Sequence, residues 1–176
     1  MIIKILAGFI PNKTLRGFFR NFLYSLQIKL KAKQIGNNLL CSKFSTVNKK
    51  TVIGNNVKFN GLHISGNGEV QIGNNVVIGF ESLIISDTHN YTGTKLPYDG
   101  TYISKKTVIS DFAWIGARVI ILPGSKIGEG AIIQAGAVVH GEIPPFSIAG
   151  GNPAKIFKMR DINHFKKLKS EKYNII

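Results

Sequence analysis

The sequence predicts an all-β solenoid, a parallel β-helix in which each triangular coil has three short faces. The first observation behind this prediction is a repeat of six residues, which from position 103 reads ISKKTV, ISDFAW, IGARVI, ILPGSK, IGEGAI, IQAGAV and VHGEIP. Each six opens on an aliphatic residue and mostly carries a small residue at its fifth position, a spacing that fits neither an amphipathic helix nor simple strand alternation. The second observation is an earlier run of the same pattern, with first positions at Ile35, Cys41, Val47 and Ile53 and then at Ile72, Ile78 and Ile84.

The repeat also predicts how each coil is filled. The first-position aliphatic points into a narrow shaft and stacks on its equivalent three sixes later, and the fifth-position residue points inward near a corner. Glycines directly follow many of the aliphatics, as at Gly54 and Gly116, and suit tight turns between short strands. Cys41 falls on an inward position, so we expect a buried small residue there rather than a reactive thiol.

Residues 1–34 precede the repeat and are predicted to form a basic amphipathic helix. Asn12 is the expected N-cap of this helix. The apolar stripe recurs at helical spacing, at Leu15, Phe18, Phe19, Phe22, Leu23, Leu26 and Leu30. Two interpretations fit the stripe: it packs on the main body and leaves a basic face in solvent, or it lies in the interface of an anionic membrane.

The charge of the chain lies mainly at its two ends. The 176 residues, a length typical of one domain, carry 23 Lys and Arg against 9 Asp and Glu, a net charge of +14. No acidic residue precedes Glu69, and a second basic group fills the C-terminal segment 153–176, where we expect a short helix. An anionic partner is indicated, but nucleic acid is not expected, because no recognition-helix or base-stacking motif is present.

Other features bound the class of protein. A lone Cys41 excludes a disulfide within one chain and a cysteine-based zinc site. No apolar run reaches the roughly 18 residues of a membrane span. The opening MIIKILAGFI lacks a small-residue cleavage site after it, so it is a poor signal peptide and a cytoplasmic location is predicted.

The predicted solenoid covers residues 35–152 and is interrupted by a projecting loop at 86–102. This loop contains His89, Asp87 and Asp99, together with Tyr91, Tyr98 and Tyr102. The wall of a solenoid offers little concave surface, so a projecting loop is the natural place for a site.

Three segments in order resemble a known family: VQIGNNVVIGFESLIISDTHN, FAWIGARVIILPGSKIGEGAIIQAGAVV and IPPFSIAGGNPAKIFK. Together they resemble the left-handed β-helix acyltransferases of the hexapeptide-repeat class, of the galactoside and maltose acetyltransferase and polysaccharide O-acetyltransferase type. The resemblance covers roughly residues 50–160. It implies a homotrimer with sites in the clefts between neighbouring coils, and transfer of an acetyl group from acetyl-CoA to a hydroxyl or amine without a metal.

The resemblance also assigns roles to particular residues. His89 matches the catalytic histidine at the start of the projecting loop, and a neutral imidazole suits general-base chemistry near pH 7. Trp114 matches a position that walls the cleft near the thioester, although packing at a trimer interface is an equal alternative. The remaining cofactor candidates are Ala117 and Ala135 for the pantetheine arm, Gly136 for close approach of the cofactor, and Lys155 and Lys158 for the CoA phosphates.

The acceptor site is less defined by sequence. Glu81 and Asp87 are both candidates for the group that orients His89, and spacing does not choose between them. We expect the acceptor-binding residues to include Asp87, Tyr91, Tyr98 and Glu81.

By family analogy, the predicted function is acetyl-CoA-dependent O-acetylation of a saccharide hydroxyl in surface polysaccharide biosynthesis, with direct transfer and His89 as the general base. One alternative keeps the chemistry and changes the acceptor to an antibiotic, a serine or an amino sugar. Another is a non-catalytic trimeric β-helix scaffold. O- and N-acetylation are not distinguished by these residues.

Overall fold

The computed structural model describes residues 13–171 of the chain. Helix α1 (Lys13–Lys31) opens the described chain, and helix α2 (Ile162–Ser170) lies near its end. The strands before the loop are β1 (Gln34–Ile35), β2 (Leu40–Lys43), β3 (Thr51–Ile53), β4 (Lys58–Asn60), β5 (His63–Ser65), β6 (Val70–Ile72), β7 (Val77–Ile78) and β8 (Leu83–Ile85). The loop strands are β9 (Asp87–His89) and β10 (Tyr102–Ser104). The later strands are β11 (Thr107–Ile109), β12 (Trp114–Ile115), β13 (Ile120–Ile121), β14 (Lys126–Ile127), β15 (Ile132–Ile133), β16 (Val138–Val139), β17 (Glu142–Ile143), β18 (Ser147–Gly150) and β19 (Lys155–Met159).

The strands stack into three parallel sheets, one for each face of a coil of about six turns. Sheet A has the order β1-β3-β6-β11-β14-β17, and sheet C has the order β16-β13-β8-β5. Sheet B has the order β18-β15-β12-β7-β4-β2, and β19 adds to its end in antiparallel orientation. The predicted parallel β-helix with its N-terminal helix, projecting loop and C-terminal helix is therefore confirmed.

The core is a set of aliphatic columns that run along the shaft. Ile121 shows the arrangement, because it pairs with Ile84 in the coil before and with Val139 in the coil after. All three side chains are fully buried. The small fifth-position residues, such as Ala113 and Ala131, are also buried at the corners. Since each coil buries its aliphatics against its neighbours, the repeat itself supplies the core.

One expected core position is wrong. Ile103 was predicted to open the first of the consecutive sixes, but it lies in β10 and pairs with Thr88 in the antiparallel hairpin. Its side chain is half-buried. The coil resumes at Thr107, whose side chain is fully buried, so the interruption extends slightly beyond the predicted loop.

The sequence Gly-Asn-Asn occurs at 36–38, 54–56 and 73–75, each time at the corner between sheets A and B. A Cβ atom on Gly54 would lie 2.7 Å from the carbonyl carbon of Gly73 in the next coil, so glycine is needed for close approach of the coils. The first asparagine forms a ladder, in which Asn55 Oδ1 accepts from the Asn37 backbone N–H at 2.8 Å and Asn74 Oδ1 accepts from that of Asn55 at 2.8 Å. The second asparagine, such as Asn56 with φ of 55°, adopts the left-handed conformation that asparagine tolerates.

Helix α1 covers the N-terminal end of the coil. Its packed face consists of Tyr24, Ser25 and Ile28, all buried. The Ser25 hydroxyl accepts a hydrogen bond from the Cys41 backbone N–H at 3.1 Å and donates one to the Leu39 carbonyl at 3.3 Å. These groups lie on the first strand of sheet B, so a side chain takes the place of a preceding strand. The predicted N-cap Asn12 lies outside the described residues.

The apolar stripe predicted for this helix is not its packing face. Phe19 and Leu23 are half-buried, but the other members of the stripe are exposed: Leu15, Phe18, Phe22, Leu26 and Leu30. Within residues 13–171 no helix is long and apolar enough to cross a bilayer.

Helix α2 packs against the corner between sheets A and B, where Phe112, Gly130 and Phe146 adjoin Phe165. Asp161 caps it by accepting from the His164 backbone N–H at 2.9 Å. Phe165 anchors it, because its ring is buried and meets Phe112 and Phe146 edge to face. This contact brings the basic C-terminal segment alongside Trp114.

Candidate active site

The projecting loop is a β-hairpin that positions His89 at the end of its first strand. Strands β9 and β10 pair in antiparallel register, with His89 opposite Tyr102. The imidazole lies between two tyrosine rings: Tyr98 stacks on it at a centroid distance of 3.7 Å and an angle of 16°, and Tyr102 lies at 4.5 Å and 35°. The two rings restrict the rotation of the imidazole, which is half-buried.

The nitrogen Nδ1 of His89 has no hydrogen-bond partner among the described residues, although it is buried. A buried polar nitrogen without a partner is costly, so it marks a position where a further group is expected to bind. An open depression of about 440 Å³ adjoins the ring and is lined by Ser65, Gly66, Asn67, Ile85, Asp87, Thr88, His89 and Tyr102. The surroundings of the imidazole are therefore aromatic on its faces and polar at its edge.

Neither carboxylate suggested by sequence bonds to Nδ1 of His89. Asp87 is buried, and its Oδ2 accepts from the Asn67 backbone N–H at 2.8 Å, so it holds the adjoining turn. Glu81 forms an exposed ion pair with Arg118 at 3.2 Å. Neither candidate therefore holds the imidazole through Nδ1 in this arrangement.

Glu81 belongs instead to a second cavity of about 440 Å³ beside α1. Its lining residues are Arg20, Tyr24, Ser42, Lys43, Phe44, Gly61, His63, Phe80 and Glu81. In this cavity the Lys43 ammonium lies 3.7 Å from the centroid of the Phe80 ring, a favourable cation–π arrangement. The cavity shares no lining residue with the depression at His89.

The tip of the hairpin is held by Asp99. Its carboxylate accepts from the backbone N–H groups of Thr94 and Thr101, each at 2.9 Å, and from both threonine hydroxyls. These hydrogen bonds, that from the Thr101 hydroxyl first, lower the pKa of Asp99 to about 2. Tyr91 is strongly exposed beyond this turn, so of the two predicted tyrosines only Tyr98 contacts His89.

The predicted cofactor residues lie at another corner, between sheets B and C. Ala117 and Gly136 occupy successive coils and are joined by a hydrogen bond of 2.9 Å from the Gly136 N–H to the Ala117 carbonyl. Ala135 and Gly136 are exposed, and Gly136 has a φ of 74°, which favours glycine. A Cβ atom on Gly136 would meet nothing within 4 Å. The structure therefore brings these three residues together on an open edge of the coil.

The two predicted phosphate-binding lysines continue from this edge. Lys155 and Lys158 are exposed on β19, which runs antiparallel to β18. Among the described residues neither lysine forms a salt bridge with an acidic side chain, whereas Lys169 in α2 forms one with Glu129. The two lysines of β19 are therefore available to bind an anion, whereas Lys169 in α2 is already in an ion pair.

Trp114 is exposed on the outer surface of β12, as its position before Ile115 predicts. Beside it lies a mainly apolar cavity of about 270 Å³ under α2, lined by Asn75, Val77, Phe112, Ala113, Trp114, Arg160, Phe165, Leu168 and Lys169. This cavity does not include His89. In a single chain the catalytic and cofactor candidates therefore lie on different corners of the coil.

Sequence reasoning missed Tyr102 as a neighbour of His89. Its cross-strand pairing depends on a hairpin of two three-residue strands. These strands are too short to show a period, so no pattern in the loop identifies it. The only available signal was the clustering of three tyrosines around one histidine.

Cys41 and the other histidines contribute no further reactive group. Burial raises the pKa of the Cys41 thiol to about 11, consistent with its inward position in the first coil. His63 bonds to the Thr46 hydroxyl at 3.1 Å in the cavity beside α1. Within the part of the chain that the structure describes, no group of three or more His, Cys, Asp or Glu side chains has an arrangement suited to a metal ion.

Comparison with known proteins gives a consistent set of similarities. The family described as bacterial transferase hexapeptide (six repeats) matches residues 106–141. The putative lipopolysaccharide biosynthesis O-acetyl transferase WbbJ of Escherichia coli K12 is 34% identical over 115 residues, 61% of this chain and 58% of that protein. The galactoside O-acetyltransferase of Lactococcus lactis is 34% identical over 98 residues, 56% of this chain and 47% of that protein. The chain spans about half the length of the curated relatives that it matches.

Among solved structures, the hexapeptide-repeat acetyltransferase VCA0836 of Vibrio cholerae, complexed with acetyl coenzyme A, is similar along nearly the whole chain. The TM-score is 0.66 at 26% identity, and the alignment covers 91% of this chain and 85% of that one. The similarity therefore extends over most of the chain.

Proposed function

We propose that this chain, whose repeat matches the bacterial transferase hexapeptide family at residues 106–141, transfers the acetyl group of acetyl-CoA to a saccharide hydroxyl. The observation that carries the proposal is the placement of His89 at the base of the hairpin. Its ring is held between Tyr98 and Tyr102, and its buried Nδ1 lacks a partner. An imidazole held in one orientation beside an open polar depression is suited to accept a proton from a bound hydroxyl.

The proposed step is direct transfer without a covalent enzyme intermediate. His89 removes the proton of the acceptor hydroxyl as that oxygen attacks the thioester carbonyl of acetyl-CoA. The tetrahedral intermediate collapses by breaking the carbon–sulfur bond, and the CoA thiolate leaves and takes the proton back from the imidazolium. Backbone N–H groups at the coil corner are suitable donors to the oxyanion.

The cofactor is proposed to lie along the corner formed by Ala117, Ala135 and Gly136. The exposed, open backbone at Gly136 supports close approach of the pantetheine arm. The phosphates would then meet Lys155 and Lys158, which are exposed on β19 and carry the charge that phosphate requires. CoA supplies the activated acetyl group, and these residues bind and orient it.

A homotrimer is part of the proposal. His89 lies after sheet C, whereas Trp114 and the cofactor residues lie on sheet B and its corner, and neither the depression at His89 nor the cavity at Trp114 includes both sets. A cleft between two copies allows the histidine of one chain to face the cofactor edge of its neighbour. Size-exclusion chromatography with light scattering tests this, and a monomer with full activity would contradict it.

The saccharide acceptor is proposed from two kinds of support. The relatives named above include a galactoside O-acetyltransferase and a putative lipopolysaccharide O-acetyltransferase. The depression at His89 combines an exposed aromatic ring, Tyr102, with backbone groups and the hydroxyl of Ser65, which suits a sugar. Asp87 lines this depression and Tyr98 stacks on His89 beside it, whereas Tyr91 is exposed elsewhere on the loop. A role in surface polysaccharide synthesis in the cytoplasm, where acetyl-CoA is available, follows from this acceptor class.

The deciding experiment measures CoA release from acetyl-CoA with a panel of sugars, nucleotide sugars and polysaccharides. The wild-type chain is expected to turn over with at least one saccharide, and His89→Ala is expected to lose roughly 100-fold or more of that rate. His164→Ala, an exposed histidine in α2, is the matched control and should retain full activity. Full activity in His89→Ala would exclude the mechanism.

The same panel separates the alternatives. Turnover with an antibiotic, a serine or an amino sugar, but not with a saccharide hydroxyl, would support acetyl transfer from acetyl-CoA to that other acceptor. Absence of acetyl transfer with every acceptor, together with unimpaired trimer formation, would favour a scaffold.

A further inference from the structure

The corner between sheets B and C continues from the cavity beside α1 to the proposed cofactor edge. This cavity of about 440 Å³, which we call the corner cavity, is lined in three successive coils by Lys43, Gly61 and Phe80. Backbone hydrogen bonds join the corner from one coil to the next: Glu81 N–H to the Asn60 carbonyl, Arg118 N–H to the Phe80 carbonyl, and Gly136 N–H to the Ala117 carbonyl. The corner cavity and the cofactor edge therefore lie in line along one side of the solenoid.

The direction proposed for CoA brings its acetyl end towards the corner cavity. The phosphates are proposed to meet Lys155 and Lys158, which follow the last coil, and the pantetheine arm is proposed to pass Gly136 in the coil before it. The thioester is at the opposite end of the pantetheine arm from the phosphates, so it points towards the coil of Phe80. An acceptor that reaches the thioester therefore has the corner cavity next to it.

Two cationic side chains line the corner cavity without an acidic partner. Arg20 of α1 and Lys43 of the first coil are exposed, and neither forms an ion pair with a carboxylate of residues 13–171. The sequence has no acidic residue before Glu69. The carboxylate of Glu81 also lines the cavity, but it is already paired with Arg118 at 3.2 Å. The cavity therefore carries excess positive charge that an anionic group would neutralise.

Aromatic rings form much of the remaining wall. Tyr24 and Phe44 meet edge to face at a centroid distance of 6.3 Å, and Phe44 lies 6.1 Å from the ring of His63. The ring of Phe44 is 48% exposed, so part of its surface is open to a ligand. Apolar ring surface suits the C–H groups of a sugar, and the adjoining cations suit a negative charge on the same molecule.

The depression at His89 has a different charge. Its lining residues include the buried carboxylate of Asp87 and no lysine or arginine. A negatively charged part of an acceptor is therefore favoured at the corner cavity, and the reacting hydroxyl is favoured at His89. In the proposed trimer the histidine of one chain faces the cofactor edge of its neighbour, so one acceptor can reach both places.

We propose that the corner cavity binds the anionic group of the acceptor, which is therefore a saccharide that carries a phosphate or a carboxylate. Arg20 and Lys43 bind the charge, and Phe44 packs against the adjoining sugar ring. The inference rests on the proposed acetyl transfer in naming this ligand as the acceptor. The binding itself depends on the lining residues and is measurable without acetyl-CoA.

The test is isothermal titration calorimetry of the full chain in the absence of acetyl-CoA. Glucose 1-phosphate and glucuronate are the probes for the two kinds of anion, and glucose is the neutral control. At least one of the two anionic sugars is expected to bind roughly tenfold or more tightly than glucose. Inorganic phosphate is expected to bind more weakly than glucose 1-phosphate, because it has no ring to pack on Phe44.

Two variants separate the contributions of charge and ring. Arg20→Gln with Lys43→Gln should weaken binding of the anionic sugar by roughly tenfold and leave glucose unchanged. Phe44→Ala should weaken binding of the anionic sugar and leave inorganic phosphate unchanged. The matched control is Lys49→Gln, because Lys49 is an exposed lysine outside the cavity lining and its loss should not alter binding.

The outcomes are distinct. Equal binding of the anionic and neutral sugars overturns the inference, as does undiminished binding by the Arg20→Gln, Lys43→Gln variant, and thermal unfolding verifies that each variant is folded. Binding that this variant loses, without acetyl transfer to any sugar in the wild type, would support the site and contradict the proposed activity. Turnover of sugars with the same KM in the wild type and in this variant would support the activity and contradict the site.

Discussion

The coil and the hairpin differ in what holds them in place. The coil is a stack of identical contacts, in which each buried aliphatic such as Ile121 lies between equivalents from the coils before and after. The hairpin at 87–104 is held by a few local contacts, among them the short pairing of β9 with β10, the hydrogen bonds to Asp99 and the ring stack at His89.

The difference shows how a regular scaffold carries an irregular site. The repeated contacts stabilise the coil. Because every coil makes the same contacts, they do not by themselves place a reactive side chain at a particular position. The hairpin contributes little buried surface, but it presents a histidine in a fixed orientation. Substitutions in the coil should therefore change stability, and substitutions in the hairpin should change turnover.

The largest expected effect is on the coil. Ile121→Ala removes a fully buried side chain from the middle of its column and should lower the free energy of unfolding by about 2–5 kcal/mol. Leu96→Ala, in the exposed hairpin, is the control and should leave it unchanged. Chemical denaturation of both variants measures the contrast, and similar losses in the two would remove the distinction between the regions.

The next effect is on turnover. Tyr98→Ala removes the ring stacked on His89 and should lower kcat roughly tenfold with little change in KM, because the imidazole is then less restricted. Tyr98→Phe keeps the ring and should restore kcat. A rise in KM in Tyr98→Phe would instead indicate that the hydroxyl binds the acceptor, as the sequence suggested.

A smaller effect is expected at the asparagine ladder. Asn55→Ala removes the acceptor for the Asn37 N–H and the side-chain bond to Asn74, and should cost about 1 kcal/mol of unfolding free energy. Asn37→Ala is the matched control at the end of the column, because its backbone donor is retained. Equal losses in the two variants would contradict the ladder as a source of stability.

The smallest effect concerns pH and the tip of the hairpin. Because the pKa of Asp99 is lowered to about 2, its contribution is present above the ordinary value of 3.8 and is lost as the pH falls through about 2. The amide resonances of Thr94 and Thr101 should report this transition in an NMR titration. Titration of both amides near pH 4 would indicate that the carboxylate is not held by these bonds.

The coil was predictable because the sequence repeats an aliphatic residue at every sixth position. The inward positions from Ile109 to Val139 follow the sixes without exception, and each is buried. Ile103 was misassigned because an aliphatic at the right spacing also fits a hairpin strand that pairs sideways. The packing face of α1 was misassigned for a related reason: Tyr24 and Ser25 form it, and neither is marked as a core residue by hydropathy.

The site was predictable only in part. His89 and Trp114 were identified by resemblance, and the structure shows where each side chain lies, but their roles stay predictions. The ring stack with Tyr98 and Tyr102 depends on the hairpin register, which two three-residue strands do not encode as a pattern. The partners of Asp87 and Glu81 depend on corners between coils, so spacing along the chain did not reveal them.

The hydroxyl of Ser25 covers the first edge of sheet B. An exposed first strand would present the Cys41 N–H and the Leu39 carbonyl as a template on which another copy of the coil could add. By occupying both groups, the serine closes this edge of one of the three sheets. Without the hydroxyl, both groups would be open to pairing with a strand of another molecule.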